Sequence, residues 1–239
     1  MPPIVLFDID KTLVAKSTAH IRAFITAVRE TYGVEAALSV STHHGMTDQQ
    51  ILRAVLAEKG VSPSAVESGL PGCLDLMVER FDAYNATDTV ELLPGVLPLL
   101  EELSGRGCRL GLVTGNLEKI AWGKLGRAGI ARYFSFGGFG SDHMDRRELA
   151  AVALNRCRIL YPDSAESPVA LFGDTPSDVA AGRAIGALAV GVATGHPTKE
   201  SLLTAGADVV FDDLSDIKAV IEAVFRRKAP RRLNGREEE

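Results

Sequence analysis

Residues Ile4-Val5-Leu6-Phe7 run without a break into Asp8-Ile9-Asp10. Four consecutive apolar residues, rich in β-formers, suit a strand buried on both faces, as in a parallel sheet between layers of helices. The carboxyl end of such a strand lies at the edge where open α/β sheets bind ligands. If the extended backbone continues, the side chains of Asp8 and Asp10 point to the same side. Two carboxylates sharing one small space need a cation or a shared proton. The stretch therefore predicts a layered α/β fold with a metal-assisted or acid/base site at one sheet edge.

The chain then changes period. Ile21, Phe24, Ile25, Val28 and Tyr32 recur at helical spacing, with Ser17 or Thr18 as cap and Gly33 as stop. Thr47-Asp48-Gln49-Gln50 has the form of a capping box, and Ser62-Pro63 opens a further helix. Gly69-Leu70-Pro71-Gly72 reads as a break, with helical periodicity resuming at Leu74. Residues 14–88 show no strand pattern, so they are expected to be a small α-helical unit inserted after the first strand. From Leu93-Pro94-Gly95 onwards strands and helices alternate. Apolar strand runs end at Thr114 and at Gly173, with others at Phe134–Phe136, Leu188–Val192 and Asp208–Phe211. Gly137-Gly138-Phe139-Gly140 reads as a glycine-rich loop. Alternation of this kind implies a Rossmann-like parallel sheet with helices on both faces, spanning residues 1–13 and 89–225. The charged tail, 226–239, has no apolar face and is expected to be disordered.

Composition narrows the function classes. The chain has 239 residues and a formal net charge of −5, which argues against nucleic acid as the main partner. Its 3 cysteines form no CxxC pair and no disulfide framework. No run approaches the roughly 18 apolar residues of a membrane span, and Met-Pro-Pro-Ile does not open a signal peptide. The expectation is a cytoplasmic protein, monomeric or homodimeric, acting on a small molecule and neither on nucleic acid nor at a membrane.

Three strands end in polar clusters: Asp8/Asp10, Thr114-Gly115-Asn116 and Asp174-Thr175-Pro176-Ser177-Asp178. Parallel strands bring those ends to one edge. Carboxylates there suit a hard cation such as Mg²⁺. Thr114, with the N–H groups of Gly115 and Asn116, resembles an anion cradle at a helix start. A metal beside an anion cradle is the layout of phosphoryl transfer.

Asp8-Ile9-Asp10-Lys11-Thr12-Leu13 resembles the DxDxT motif of the haloacid dehalogenase (HAD) superfamily. Val113-Thr114-Gly115-Asn116 resembles that family's second motif, and Gly173-Asp174-Thr175-Pro176-Ser177-Asp178 its fourth. The helical insertion is similar to the cap of its phosphoglycolate-phosphatase-like members. The resemblance implies a Mg²⁺-dependent phosphatase acting on a small, phosphoglycolate-like phosphorylated metabolite through an aspartyl-phosphate. Asp8 is then the nucleophile and Asp10 the general acid/base. The metal falls to Asp8, the Asp10 backbone carbonyl and Asp174, with Asp178 as ligand or behind one. Thr114 holds a phosphate oxygen.

One departure stands out. The family places a lysine ahead of the fourth motif, and none occurs between Phe134 and Val169. Arg146 is the expected substitute, with Arg147 in reserve; Lys124, further upstream, is expected to face solvent. His43 and His44, in the insertion, are candidates for substrate contact. Trp122 and the cysteines are read as packing residues. A phosphomutase of the β-phosphoglucomutase type, a dehalogenase and a non-catalytic phosphate-binding module remain open alternatives.

Overall fold

A computed structural model describes residues 1–36 and 44–226. His43 and the tail beyond Arg226 therefore lie outside the described residues. Six strands form one sheet: β1 (Ile4–Phe7), β2 (Arg109–Thr114), β3 (Phe136–Phe139), β4 (Val169–Gly173), β5 (Leu188–Val192) and β6 (Val209–Phe211). Their order is β3-β2-β1-β4-β5-β6, and every pair is parallel. β1 is central, and the chain leaves it in both directions. That is a topological switch point, which opens a crevice at the carboxyl end of β1.

The alternation of β1 explains why a solid apolar run was needed. Val5 and Phe7 enter the cluster on one face, with Leu99, Leu103 and Val220 of α4 (Val96–Gly105) and α9 (Ile217–Phe225). Ile4 and Leu6 enter the other, with Leu149 and Ala153 of α6 (Arg146–Leu160) and Ala181 of α7 (Pro176–Ala184). A short α8 (Lys199–Thr204) packs Leu202 against Val179 and Ala189.

Ahead of α4, three described helices follow β1: α1 (Thr18–Tyr32), α2 (Asp48–Glu58) and α3 (Pro63–Asn85). They share an apolar cluster, which Leu117 and Ile120 join from the start of α5 (Glu118–Arg127). Ser17 caps α1, Gly33 ends it with φ 68°, and Thr47 and Gln50 form the capping box of α2. The two ends of this segment are tied together. Asp88 accepts from the Ser17 and Thr18 hydroxyls and the Ala19 N–H, while Leu93 N–H bonds the Leu13 carbonyl.

Two local expectations are corrected. Gly69–Gly72 is not a break, because α3 runs through it. Pro71 and Gly72 sit on its exposed side, where water can satisfy the carbonyl that proline leaves without a donor. Leu70 and Cys73 beside them are buried in the helical cluster and hold the helix in register. Gly137-Gly138-Phe139 is not a loop but strand β3. A Cβ at Gly138 would lie 1.9 Å from the Leu149 carbonyl oxygen, so glycine is what lets α6 approach this strand.

Candidate active site

The end of β1 delivers Asp8 to the crevice, with its N–H bonded to the Phe172 carbonyl of β4 at 2.9 Å. Beyond Asp10 the chain reverses sharply, with Lys11 at φ 64°. Thr194, from the loop after β5, donates its hydroxyl to the Lys11 carbonyl and braces that turn. β4 delivers Asp174, and the first turn of α7 delivers Asp178. Oxygens of Asp8, Asp174 and Asp178 lie within 4.8 Å of one another, and all three residues are buried.

Arg146 opens α6 and reaches into this cluster. Its Nη1 stands 3.1 Å from Asp8 Oδ1 and 2.5 Å from Asp178 Oδ1. The other Asp178 oxygen accepts from the Thr175 N–H and hydroxyl, so both are engaged. Arg147, the reserve, is exposed and paired with Asp145.

Asp10 has a different partner. Both its oxygens receive Lys124 Nζ, at 2.8 and 2.7 Å, and Asn116 Nδ2 donates to Oδ2 at 2.8 Å. Lys124 Nζ also donates to Asn116 Oδ1, and Asn116 Nδ2 to the Thr114 hydroxyl. The expectation that Lys124 faces solvent is corrected: it is 1% exposed. A buried ammonium needs a carboxylate, and Asp10 supplies it from 114 residues away. The pattern did carry a signal. Ile120, Ala121, Lys124 and Leu125 form the buried stripe of α5, so the lysine stands among core positions.

The two aspartates of β1 thus sit in opposite fields. Burial pushes the Asp8 carboxyl up to about 7; Arg146 opposes the rise, and Asp178 and Asp10 add to it. Burial, reinforced by Asp178 and Asp8, pushes Asp174 up to about 9. Burial also acts to raise Asp10, but Lys124 foremost outweighs it and holds that carboxyl below the usual range. Burial works against the charge of Arg146, yet Asp178 and Asp8 keep it protonated. Its Nε is buried without a partner among the described residues, a donor left over for an anion.

Three carboxylates converge here, two of them on one guanidinium, and their donors are all oxygen. That set fits a hard divalent cation. The Asp10 side chain is outside it, engaged by Lys124. The fit has a measurable consequence. Asp8 and Asp174 bind protons more tightly folded than at their ordinary 3.8. The stability they contribute is fully present below that value and lost as pH rises through about 7 and then about 9. A bound divalent cation offsets the loss. The melting temperature should therefore rise with Mg²⁺ by more at about pH 9 than at about pH 5. Differential scanning fluorimetry at both pH values checks this; an equal rise would contradict it.

The site residues surround a cavity of about 240 Å³, lined by Asp8, Asp10, Asn116, Lys124, Arg146 and Asp174 below and by residues of α1 and α2 above. Thr114 and Gly115 stand behind its wall. Thr114 is fully buried, and the Gly115 carbonyl accepts from the Asp48 N–H at 2.9 Å. Asp48 also accepts from the Leu117 N–H and lies 3.2 Å from His20, so the start of α2 docks on the loop after β2. His44 lines the cavity and packs against His196, the rings tilted by 38° with centroids 4.8 Å apart. Sequence reasoning missed Lys124, His20, Asp48 and His196, for their partners are distant in sequence.

Comparison with known proteins yields consistent relatives. A family model described as haloacid dehalogenase-like hydrolase matches residues 5–192. The Dickeya dadantii protein named "Probable phosphatase IndB" is 28% identical over 242 residues, covering 95% of this chain and 96% of its own. A phosphoglycolate phosphatase of Synechococcus elongatus is 25% identical over 232 residues, covering 93% and 99%. Among solved structures, CbbY from Rhodobacter sphaeroides in complex with phosphate superposes with a TM-score of 0.71 at 20% identity, covering 91% and 96%. Among the described residues no helix is long and apolar enough to cross a membrane.

Proposed function

The chain belongs to the haloacid dehalogenase-like hydrolase family, and from that premise we propose that it is a Mg²⁺-dependent phosphatase. It hydrolyses a small phosphorylated metabolite through an aspartyl-phosphate on Asp8. Relatives named phosphatases support the reaction class. The observation that carries the reading is the division between the two aspartates, with Asp8 against a guanidinium and Asp10 held in a separate lysine–asparagine clamp.

Asp8 attacks phosphorus and forms the acyl phosphate while the ester oxygen leaves. Asp10 gives that oxygen a proton, then takes one from the water that opens the acyl phosphate. Its resting form is ionised, so the proton must be acquired with substrate. A phosphate dianion beside Asp10 adds negative charge and raises its proton affinity. Arg146 and Asn116, which line the cavity, hold the phosphoryl oxygens, with Thr114 behind Asn116. A divalent cation, held by Asp8, Asp174 and the Asp10 carbonyl with Asp178 behind, would supply Lewis-acid polarisation of the phosphoryl group. The helices α1–α3 act as a cap that excludes water and so strengthens these interactions.

Phosphate release from p-nitrophenyl phosphate with Mg²⁺, abolished by chelation, is the expected result. Isomer formation from a sugar phosphate in place of phosphate release would instead mark a mutase. Arg146→Lys should lower kcat/KM about 10–100-fold, because lysine lacks the Nε donor that is left over once Nη1 spans Asp8 and Asp178. Arg147→Lys should leave it within about twofold. Equal effects of the two in steady-state assays would contradict the assignment of Arg146.

A further inference from the structure

The carboxylates and cations account for the floor of the cavity but not for its opposite wall. That wall carries Ile21 and Phe24 of α1, Ile51 of α2 and Met46 just ahead of α2. Phe24 is buried in the helical cluster, and Ile51 packs partly against it. Ile21 and Met46 take part in none of the apolar clusters among the described residues, and both stay half-buried. Core packing therefore does not explain why two large apolar side chains line a charged cavity. Leaving them against water forgoes their transfer free energy, which an apolar ligand would recover. The polar groups beside them are Ser17, His44 and His20, the last 3.2 Å from Asp48, and Lys16 stands exposed at the rim. At about 240 Å³ the space lies below the ~300–1,000 Å³ of pockets that bury drug-sized ligands, which points to a small molecule and not a polymer.

We propose that the alcohol released from the phosphate ester carries an apolar face, an alkyl chain or ring of several carbons, seated on Ile21, Met46 and Ile51. This rests on the phosphatase reading and narrows it. A two-carbon acid such as glycolate is polar throughout and would leave that wall bare. Each methylene buried against the wall favours the longer ester.

The test compares ethyl phosphate, n-butyl phosphate and 2-phosphoglycolate under Mg²⁺, using kcat/KM from phosphate release. Butyl phosphate should exceed ethyl phosphate by about tenfold or more, and should also exceed 2-phosphoglycolate. Ile21→Ser, chosen because Ile21 is outside the core clusters, should narrow the butyl-to-ethyl ratio to within about threefold. Equal turnover of the three esters, or preference for 2-phosphoglycolate, would overturn the inference and leave a phosphatase standing. A butyl preference unchanged in Ile21→Ser would overturn the assignment to this wall. Absence of turnover on every ester would overturn the phosphatase reading itself, and the inference with it.

Discussion

Asp8→Asn is expected to lower kcat for p-nitrophenyl phosphate by on the order of 10⁴-fold or more, over ~5 kcal/mol of transition-state stabilisation. The amide keeps the shape of the carboxylate but cannot form the acyl phosphate. The fold should survive. Asp8 is one of three buried carboxylates within 4.8 Å of one another, so neutralising it relieves repulsion. Denaturant unfolding without added metal should show the variant at least as stable as the parent at neutral pH. Turnover within tenfold of the parent would remove Asp8 from the chemistry. Lost turnover with lost stability would mark it as structural.

Lys124→Met carries the second large effect, and it separates the structural reading of this lysine from the one its sequence suggests. A lysine on a solvent-facing helix can be replaced with changes within about 0.5 kcal/mol and no effect on turnover. The structure places it 1% exposed, on both oxygens of Asp10. Removing one partner of a fully buried ion pair costs about 3–5 kcal/mol. The Asp10 side chain keeps 34% of its exposure, so the expected loss is about 2–3 kcal/mol. Asp10 then loses its orientation and the field that holds its pKa down. A fall in kcat of about 10²–10³-fold should accompany the loss of stability, the range that a positioned acid/base contributes. Urea unfolding and steady-state kinetics on the same preparation measure both. A variant as stable and as active as the parent would contradict the clamp.

The sheet was legible because its signals are local. A four-residue apolar run can be buried on both faces only in a layered sheet, and β1 is buried at every position. Caps at Ser17, Thr47 and Ser62 work within three residues of themselves. The polar strand ends were legible for the same reason, since parallel topology brings strand termini together without any knowledge of loops. Expectation failed where a distant partner decides. Gly69–Gly72 has the composition of a turn, but the cluster holding Leu70 and Cys73 keeps it helical. Gly137–Phe139 has the composition of a loop, but the approach of Leu149 makes glycine a requirement of the strand. Lys124 stood visibly among buried positions of α5, yet its reason for burial lies in Asp10 and Asn116. Arg146 was identified by elimination, as the cation available where a lysine was missing. Its Nη1 alone spans Asp8 and Asp178, which leaves Nε, buried without a partner among the described residues, as a further donor that a point charge would lack.

The central claim is that Asp8 carries the phosphoryl group during turnover, and acid quenching tests it most directly. The enzyme is mixed with Mg²⁺ and a phosphate monoester and stopped in acid, which preserves acyl phosphates. Borohydride then reduces the modified side chain, and peptide mass spectrometry locates it. The account predicts modification at residue 8, present with substrate, absent without it and absent in Asp8→Asn. Phosphate release with no modified peptide, or with the modification on another side chain, would contradict it.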